Sequence, residues 1–199
     1  MFYDIMNNNI TFTSYIRPVT VERFYEKAIS MPQKNYVGYP WTVKESVKAA
    51  SAYTEDVEDC TAFGITDGAK VFLMHICPTK SQNSNFENIA NFIKSKVNLN
   101  NNELQGILVG SKSDCRYSKS SAQLFDKFLG FVEKYNIPTS IFRSSFDDDR
   151  CHLAYSSVKD EWIISSKIID NLIKKFPPGE VLTRYFKEVK ISPEDIVLP

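Results

Sequence analysis

The dipeptide Asp67-Gly68 constrains this chain more than any other feature, because it separates two short runs rich in β-forming residues, 60–66 and 69–77. Asp-Gly supplies the two positive-φ positions of a type I′ turn, so the pattern predicts an antiparallel β-hairpin. Ala62, Gly64, Val71 and Leu73 fall on one face of that hairpin, and Phe63, Ile65, Phe72 and Met74 on the other. Both faces are apolar, as for strands covered on two sides. A layered α/β domain is the expected outcome.

The remaining elements are read from periodicity and caps. Val21, Phe24, Tyr25, Ala28 and Ile29 recur at helical spacing and end before Pro32. Thr42 and Glu45 form a T-x-x-E capping box that predicts a second helix to about Tyr53, leaving 54–59 as an acidic loop. Beyond the hairpin, Ser84 and Glu87 predict a helix with Phe86, Ile89, Ala90, Ile93 and Val97 inward, followed by a strand over 104–109. Ser120 and Gln123 open a helix that presents Phe125, Phe128, Leu129, Val132 and Tyr135 and stops before Pro138. Short strands are expected over 139–143, 151–157 and 162–165. Two helices follow, separated by Pro177-Pro178-Gly179; the second has Leu182, Tyr185, Phe186 and Val189 inward. The expected class is a layered α/β sandwich around a mixed, mainly antiparallel sheet with an N-terminal helical extension. It reads as one domain over 1–199: a helical N-terminal region (1–53), a core (54–166) and C-terminal helices with a tail (167–199).

Lys and Arg together number 24, as do Asp and Glu, so no net field favours nucleic acid or an anionic membrane as a partner. No apolar run approaches the roughly twenty residues a spanning helix needs, and the opening residues lack a secretory pattern, so folding in the cytoplasm is expected. The four cysteines, Cys60, Cys77, Cys115 and Cys151, show neither zinc-site spacing nor a disulfide scaffold and read as thiols. The run Asp147-Asp148-Asp149 reads as a solvated turn, so no metal is expected.

A two-residue turn at Asp67-Gly68 would pair Thr66 with Ala69 and, further out, Cys60 with His75. Directly opposed side chains have Cβ atoms about 4.5 to 5.5 Å apart, within which a thiol and an imidazole can share a proton. A free thiol is mostly protonated at neutral pH, and a neighbouring imidazole can convert it to the nucleophilic thiolate. The pair is therefore either a catalytic dyad or two ordinary half-buried strand residues. A register shift of one would set Met74 opposite Cys60 and abolish the pairing. Cys77 shares a face with His75, as a wall of the site or as core. His152 directly follows Cys151 and so points to the opposite face of its strand.

The order Thr54, Cys60, His75, together with the stretch CTAFGITDGAKVFLMHICP that runs from Cys60 to Pro78, resembles the bacterial glutamine deamidases of the CheD chemoreceptor-deamidase type. The catalytic domains of cytotoxic necrotizing factor and of the lethal-factor toxin that deamidates a translation initiation factor are similar. The resemblance covers roughly 54–166, with Leu104 to Gly110 and Tyr135-Asn136-Ile137-Pro138 in matching order. It implies a protein glutamine deamidase with Cys60 as nucleophile, His75 as acid and base, and Thr54 orienting His75, without cofactor. Thr54 reads equally well as a residue ending a helix. The implied partner is a protein carrying an exposed Gln, met by a monomer in its own cytoplasm or delivered as a toxin or effector into a host cytosol. Transglutamination and a non-catalytic binding module are the alternatives. The chain departs from these families at Glu58-Asp59, where they carry Ser and Gly, and at Gly110-Ser111, where they carry two Gly. The two carboxylates would disfavour a thiolate, or point outward toward a basic substrate surface.

Overall fold

Backbone hydrogen bonding sorts the strands of this chain into two sheets rather than one. The computed structural model describes residues 15–30, 35–38, 47–110, 118–143 and 150–188. In chain order these form β1 (Tyr15–Pro18), α1 (Val21–Ser30), β2 (Val47–Ala49), β3 (Ser51–Val57), β4 (Thr61–Thr66) and β5 (Val71–Ile76). There follow α2 (Lys80–Ser84), α3 (Phe86–Lys96), β6 (Gln105–Gly110), α4 (Ser118–Lys134), β7 (Thr139–Arg143), β8 (Cys151–Ser156), β9 (Glu161–Ser165), α5 (Lys167–Ile173) and α6 (Pro178–Glu188). The first sheet has the order β1-β9-β8-β3 and the second β2-β5-β4-β6-β7. Only β1 with β9 and β6 with β7 run parallel, so each sheet is mixed and mainly antiparallel.

The two apolar faces of the hairpin explain the layering. Phe63, Ile65, Phe72, Met74 and Leu108 of the second sheet pack against Ile89 and Ile93 of α3 and Phe125 and Phe128 of α4. The rings of Phe63 and Phe128 lie 4.9 Å apart, and Phe86 meets Phe128 edge-on. The opposite face, with Ala62, Val71, Leu73, Ile107 and Val109, packs on Leu153, Tyr155, Trp162 and Ile164 of the first sheet. Outside that first sheet, Phe24 and Ala28 of α1 cover Ala154 and Ile163. The α/β sandwich read from the sequence is the observed class, with a second sheet forming one of its layers.

Four local expectations differ from the structure. Of the predicted helix to Tyr53, residues 42–46 lie outside the described residues, while 47–49 and 51–53 fall in the strands β2 and β3, so the 1–53 region is not simply helical. The ladder that β3 forms with β8 holds 51–57 extended, whatever helical preference the sequence carries there. The supposed acidic loop over 54–59 is, up to Val57, the continuation of β3. Ser84 does not open a helix: Thr79 caps α2, its Oγ1 accepting from the Gln82 N–H at 3.1 Å, and Ser84 is the last residue of α2. The helix placed at Ser120 begins at Ser118. Cys115, the Asp147 to Asp149 run and Val189 lie outside the described residues.

The two sheets approach closely at Gly64, where a Cβ would stand 2.3 Å from the Trp162 ring. Gly64→Ala is accordingly expected to destabilise the fold by about 1 to 3 kcal/mol through overpacking, read as a lower urea midpoint at unchanged m-value. An unchanged midpoint would show that the sheets can part at no cost.

Candidate active site

The hairpin closes one step later than a central Asp-Gly pair allows. The Asp67 N–H donates to the Lys70 carbonyl at 3.3 Å, which leaves Gly68 and Ala69 as the two central residues. Gly68 alone in the turn has positive φ, +81°, whereas a type I′ turn needs two such residues and a type II′ turn one, at its first central position. The Asp67 carboxylate holds this arrangement by accepting from the N–H groups of Ala69 at 3.1 Å and Lys70 at 2.8 Å. Thr66 consequently pairs with Val71, and Ala62 with His75. The expected opposition of Cys60 and His75 is thus corrected. The same register continued by one residue brings Cys60 opposite Cys77, and their sulfurs lie 3.3 Å apart.

A shift of two residues keeps every side chain on its face. Cys60 and His75 both remain on the side that looks toward the first sheet, now as diagonal neighbours. Diagonal pairs stand about 7 to 8 Å apart between backbones and somewhat less between Cβ atoms, a span an imidazole can bridge.

Thr54 arrives from the other sheet. Its Oγ1 lies 2.8 Å from His75 Nδ1, and all of Thr54 is buried. The same hydroxyl donates to the Val37 carbonyl at 2.6 Å. A hydroxyl has one proton; with that proton given to Val37, Thr54 accepts from His75, so Nδ1 carries the imidazole proton and Nε2 is the basic nitrogen. Val37 is itself held against β3, its N–H donating to the Tyr53 carbonyl at 2.8 Å. Just past Thr54, β3 bulges: the register with β8 shifts between Thr54 and Val57, and Asp56 takes a φ of +55°.

The backbone around Cys60 is clamped from two directions. Gly110, with φ +134°, lets the end of β6 come so close that a Cβ would stand 2.2 Å from the Cys60 carbonyl oxygen. Ser121, in the first turn of α4, donates to the Asp59 carbonyl at 2.7 Å. The carboxylates flanking the cysteine divide. Glu58 pairs with Arg150 at 3.4 Å, and Arg150 also reaches Asp56 at 3.9 Å. Asp59 keeps one buried carboxylate oxygen with no hydrogen-bond partner.

Electrostatics favours the neutral form of both Cys60 and His75. The Cys60 thiol is pushed up first by the hydrogen bond it gives Cys77, then by burial and by the charges of Asp59 and Glu58. The hydrogen bond it receives draws the Cys77 thiol down against partial burial. Burial lowers His75 from its ordinary 6.5 to about 4, with Asp56 pulling the other way.

The structure thus joins Thr54 to His75 by a hydrogen bond and sets Cys60 on the same face of the hairpin as His75, diagonal to it in register rather than opposite. Val37 and Ser121 were not read from the sequence, and Gly110 was read only as part of the Gly110-Ser111 departure, not as a contact of Cys60. A glycine closing an apolar strand was the available signal for Gly110; nothing in the chain marks the Val37 carbonyl or the Ser121 hydroxyl. A cavity of about 500 Å³ between α2 and α4, lined by Asn83, Ser84, Gln123, Asp126 and Lys127, contains none of Thr54, Cys60 and His75. Among the described residues no cluster of three or more His, Cys, Asp or Glu could hold a metal ion, and no helix is long and apolar enough to cross a membrane. No family model matches the chain, and no curated protein does.

The depressed His75 value has a sign that can be measured. Folding keeps the imidazole neutral, so this contribution is fully present above pH 6.5 and is lost as the pH falls toward 4. The loss across that window is on the order of 3 kcal/mol. Denaturant titrations at steps between the two limits should show the decline, and His75→Gln should flatten it. An equal slope in the variant would mean that another group carries the acid sensitivity.

Proposed function

We propose that the chain is a cysteine-dependent protein glutamine deamidase, converting a Gln of a target protein to Glu through a thioester on Cys60. The observation that carries this reading is the buried hydrogen bond from His75 Nδ1 to Thr54, which leaves Nε2 as a base on the face that also bears Cys60. It agrees with the resemblance of Thr54, Cys60 and His75 to the deamidase motif.

In this mechanism the substrate carboxamide displaces the Cys60 thiol from its hydrogen bond to Cys77. The thiol proton passes to His75 Nε2 as the sulfur attacks the carboxamide carbon. The imidazolium then returns that proton to the departing nitrogen, and ammonia leaves. Water, deprotonated by Nε2, cleaves the thioester and releases Glu. The Thr54 oxygen stabilises the imidazolium while its donation to Val37 prevents the ring from turning. The buried Asp59 oxygen is an acceptor suited to an N–H of the substrate carboxamide, which brings two. An amine in place of water would give transglutamination at the same thioester. The substrate is accordingly a protein with an accessible Gln, met in a cytosol, its own or a host's.

A second reading, a protein-binding module without catalysis, is favoured by one observation: the Cys60 thiol is 5% exposed and its ionisation is opposed by Cys77, by burial and by two carboxylates. Alkylation at neutral pH separates the two. A working dyad labels at Cys60 and slows in His75→Ala; equal, slow labelling in both proteins supports the module.

The direct measurement is peptide mass analysis of a broad lysate incubated with the protein. A Gln-to-Glu change of about 1 Da that disappears with Cys60→Ser is expected, as hydrolysis of an amide through a thioester requires. Thr54→Val should lower the rate about 100-fold by releasing the imidazole from its orientation. No Cys60-dependent change anywhere in the lysate would sink the enzyme reading.

A further inference from the structure

The close approach of Cys60 to Cys77 is not needed by the hydrolytic steps above, yet it is the most specific contact either sulfur makes. Residues directly opposed on antiparallel strands have Cα atoms about 4.5 or 5.5 Å apart, depending on whether the pair is hydrogen-bonded. Both values fall inside the window of roughly 4.4 to 6.8 Å that a disulfide tolerates. The sulfurs, 3.3 Å apart, need to close by about an ångström to reach the bonded distance near 2.05 Å. Cys60 precedes β4 and Cys77 follows β5, so both stand at the open end of the hairpin, and the sulfurs can close by side-chain rotation while the backbone around Cys60 stays held. Cys77 is half-buried and Cys60 buried, so a small oxidant meets Cys77 first. Cys151 Sγ lies against the Tyr185 hydroxyl at 3.7 Å.

We propose that Cys60 and Cys77 form a reversible disulfide when the protein meets a peroxide, withdrawing Cys60 from nucleophilic chemistry. The Cys77 sulfur, as thiolate, attacks the O–O bond of hydrogen peroxide and expels hydroxide, leaving a sulfenic acid on Cys77. The Cys60 sulfur then attacks the Cys77 sulfur; the S–S bond forms, the S–O bond breaks and a second hydroxide leaves. The two thiol protons convert both hydroxides to water, so the two sulfurs supply the two electrons that reduce one peroxide. A dithiol reductant reverses the change by exchange. The hydrogen bond from Cys60 to Cys77 favours this order, because it stabilises the thiolate on the more exposed sulfur. The disulfide itself requires only the two sulfurs. Its consequence for activity rests on the deamidase reading.

The test uses the folded full chain, treated with a limiting amount of hydrogen peroxide, then denatured, alkylated and digested. Cleavage after Lys48, Lys70 and Lys80 places Cys60 in peptide 49–70 and Cys77 in peptide 71–80. The expected result is a mass about 2 Da lower than the reduced chain, loss of two alkylatable thiols, and the two peptides joined. Dithiothreitol should restore both thiols. Separate alkylation of Cys60 and Cys77 after oxidation, their overoxidation without a joined peptide, or linkage through Cys115 or Cys151 instead would overturn the proposal. A joined pair in a protein whose reduced form converts no Gln upholds the disulfide and rejects the deamidase reading alone.

Discussion

The distance between the two sheets is the constraint on which the candidate site depends. His75 and Cys60 stand on the second sheet and Thr54 on the first, so the hydrogen bond between Thr54 and His75 forms only if the layers meet at side-chain range. Small residues on the inner face of β4, Ala62 and Gly64, allow that approach by making room for Trp162, which fills the space from β9. A close-packed apolar interface transmits such spacing with little slack, because its side chains have no room to give. The geometry of the candidate site is therefore a consequence of core packing a few residues away from it.

The same burial shapes the chemistry. Removing His75 from water disfavours its cation, and removing Cys60 from water disfavours its anion, so the resting pair is neutral at physiological pH. In the proposed mechanism, proton transfer between them would create two charges where there were none, and Thr54 would stabilise one of the two. The carboxylates at Glu58 and Asp59 are both adverse to a thiolate at Cys60, although Arg150 pairs with the first. The second keeps an acceptor oxygen turned inward. Cys77 holds the thiol in its protonated form until something takes its place, which links the quiet resting state to the disulfide proposed for the oxidised one.

How much of this was legible in the chain varied with the range of the signal. The helix over 21–30, the helix with Phe125 and Phe128, and the strands after Pro138 follow from spacing, because one apolar face against a core imposes its own period. The division of the hairpin into two apolar faces was read correctly for the same reason. The 42–53 stretch misled because a capping box is recognisable over four residues, whereas the pairing of β3 with β8 joins residues about a hundred positions apart. The hairpin register was misjudged by two. Asp-Gly can sit at the centre of a turn or one step before it, and the Asp67 carboxylate bonding to two later N–H groups selects the second arrangement.

By itself, then, the sequence determined that this chain forms a layered α/β sandwich containing a buried hairpin, and that Cys60 and His75 share one face of it. Parity along a strand has a period of two, so the face survives a register error of two. What only the tertiary structure decided was which groups touch: Cys77 rather than His75 opposite Cys60, Val37 as the sink for the Thr54 proton, Gly110 and Ser121 against the Cys60 backbone. Those contacts join elements far apart in the chain, and they are settled by how two sheets and a helix close over a common core, a balance that no local pattern encodes.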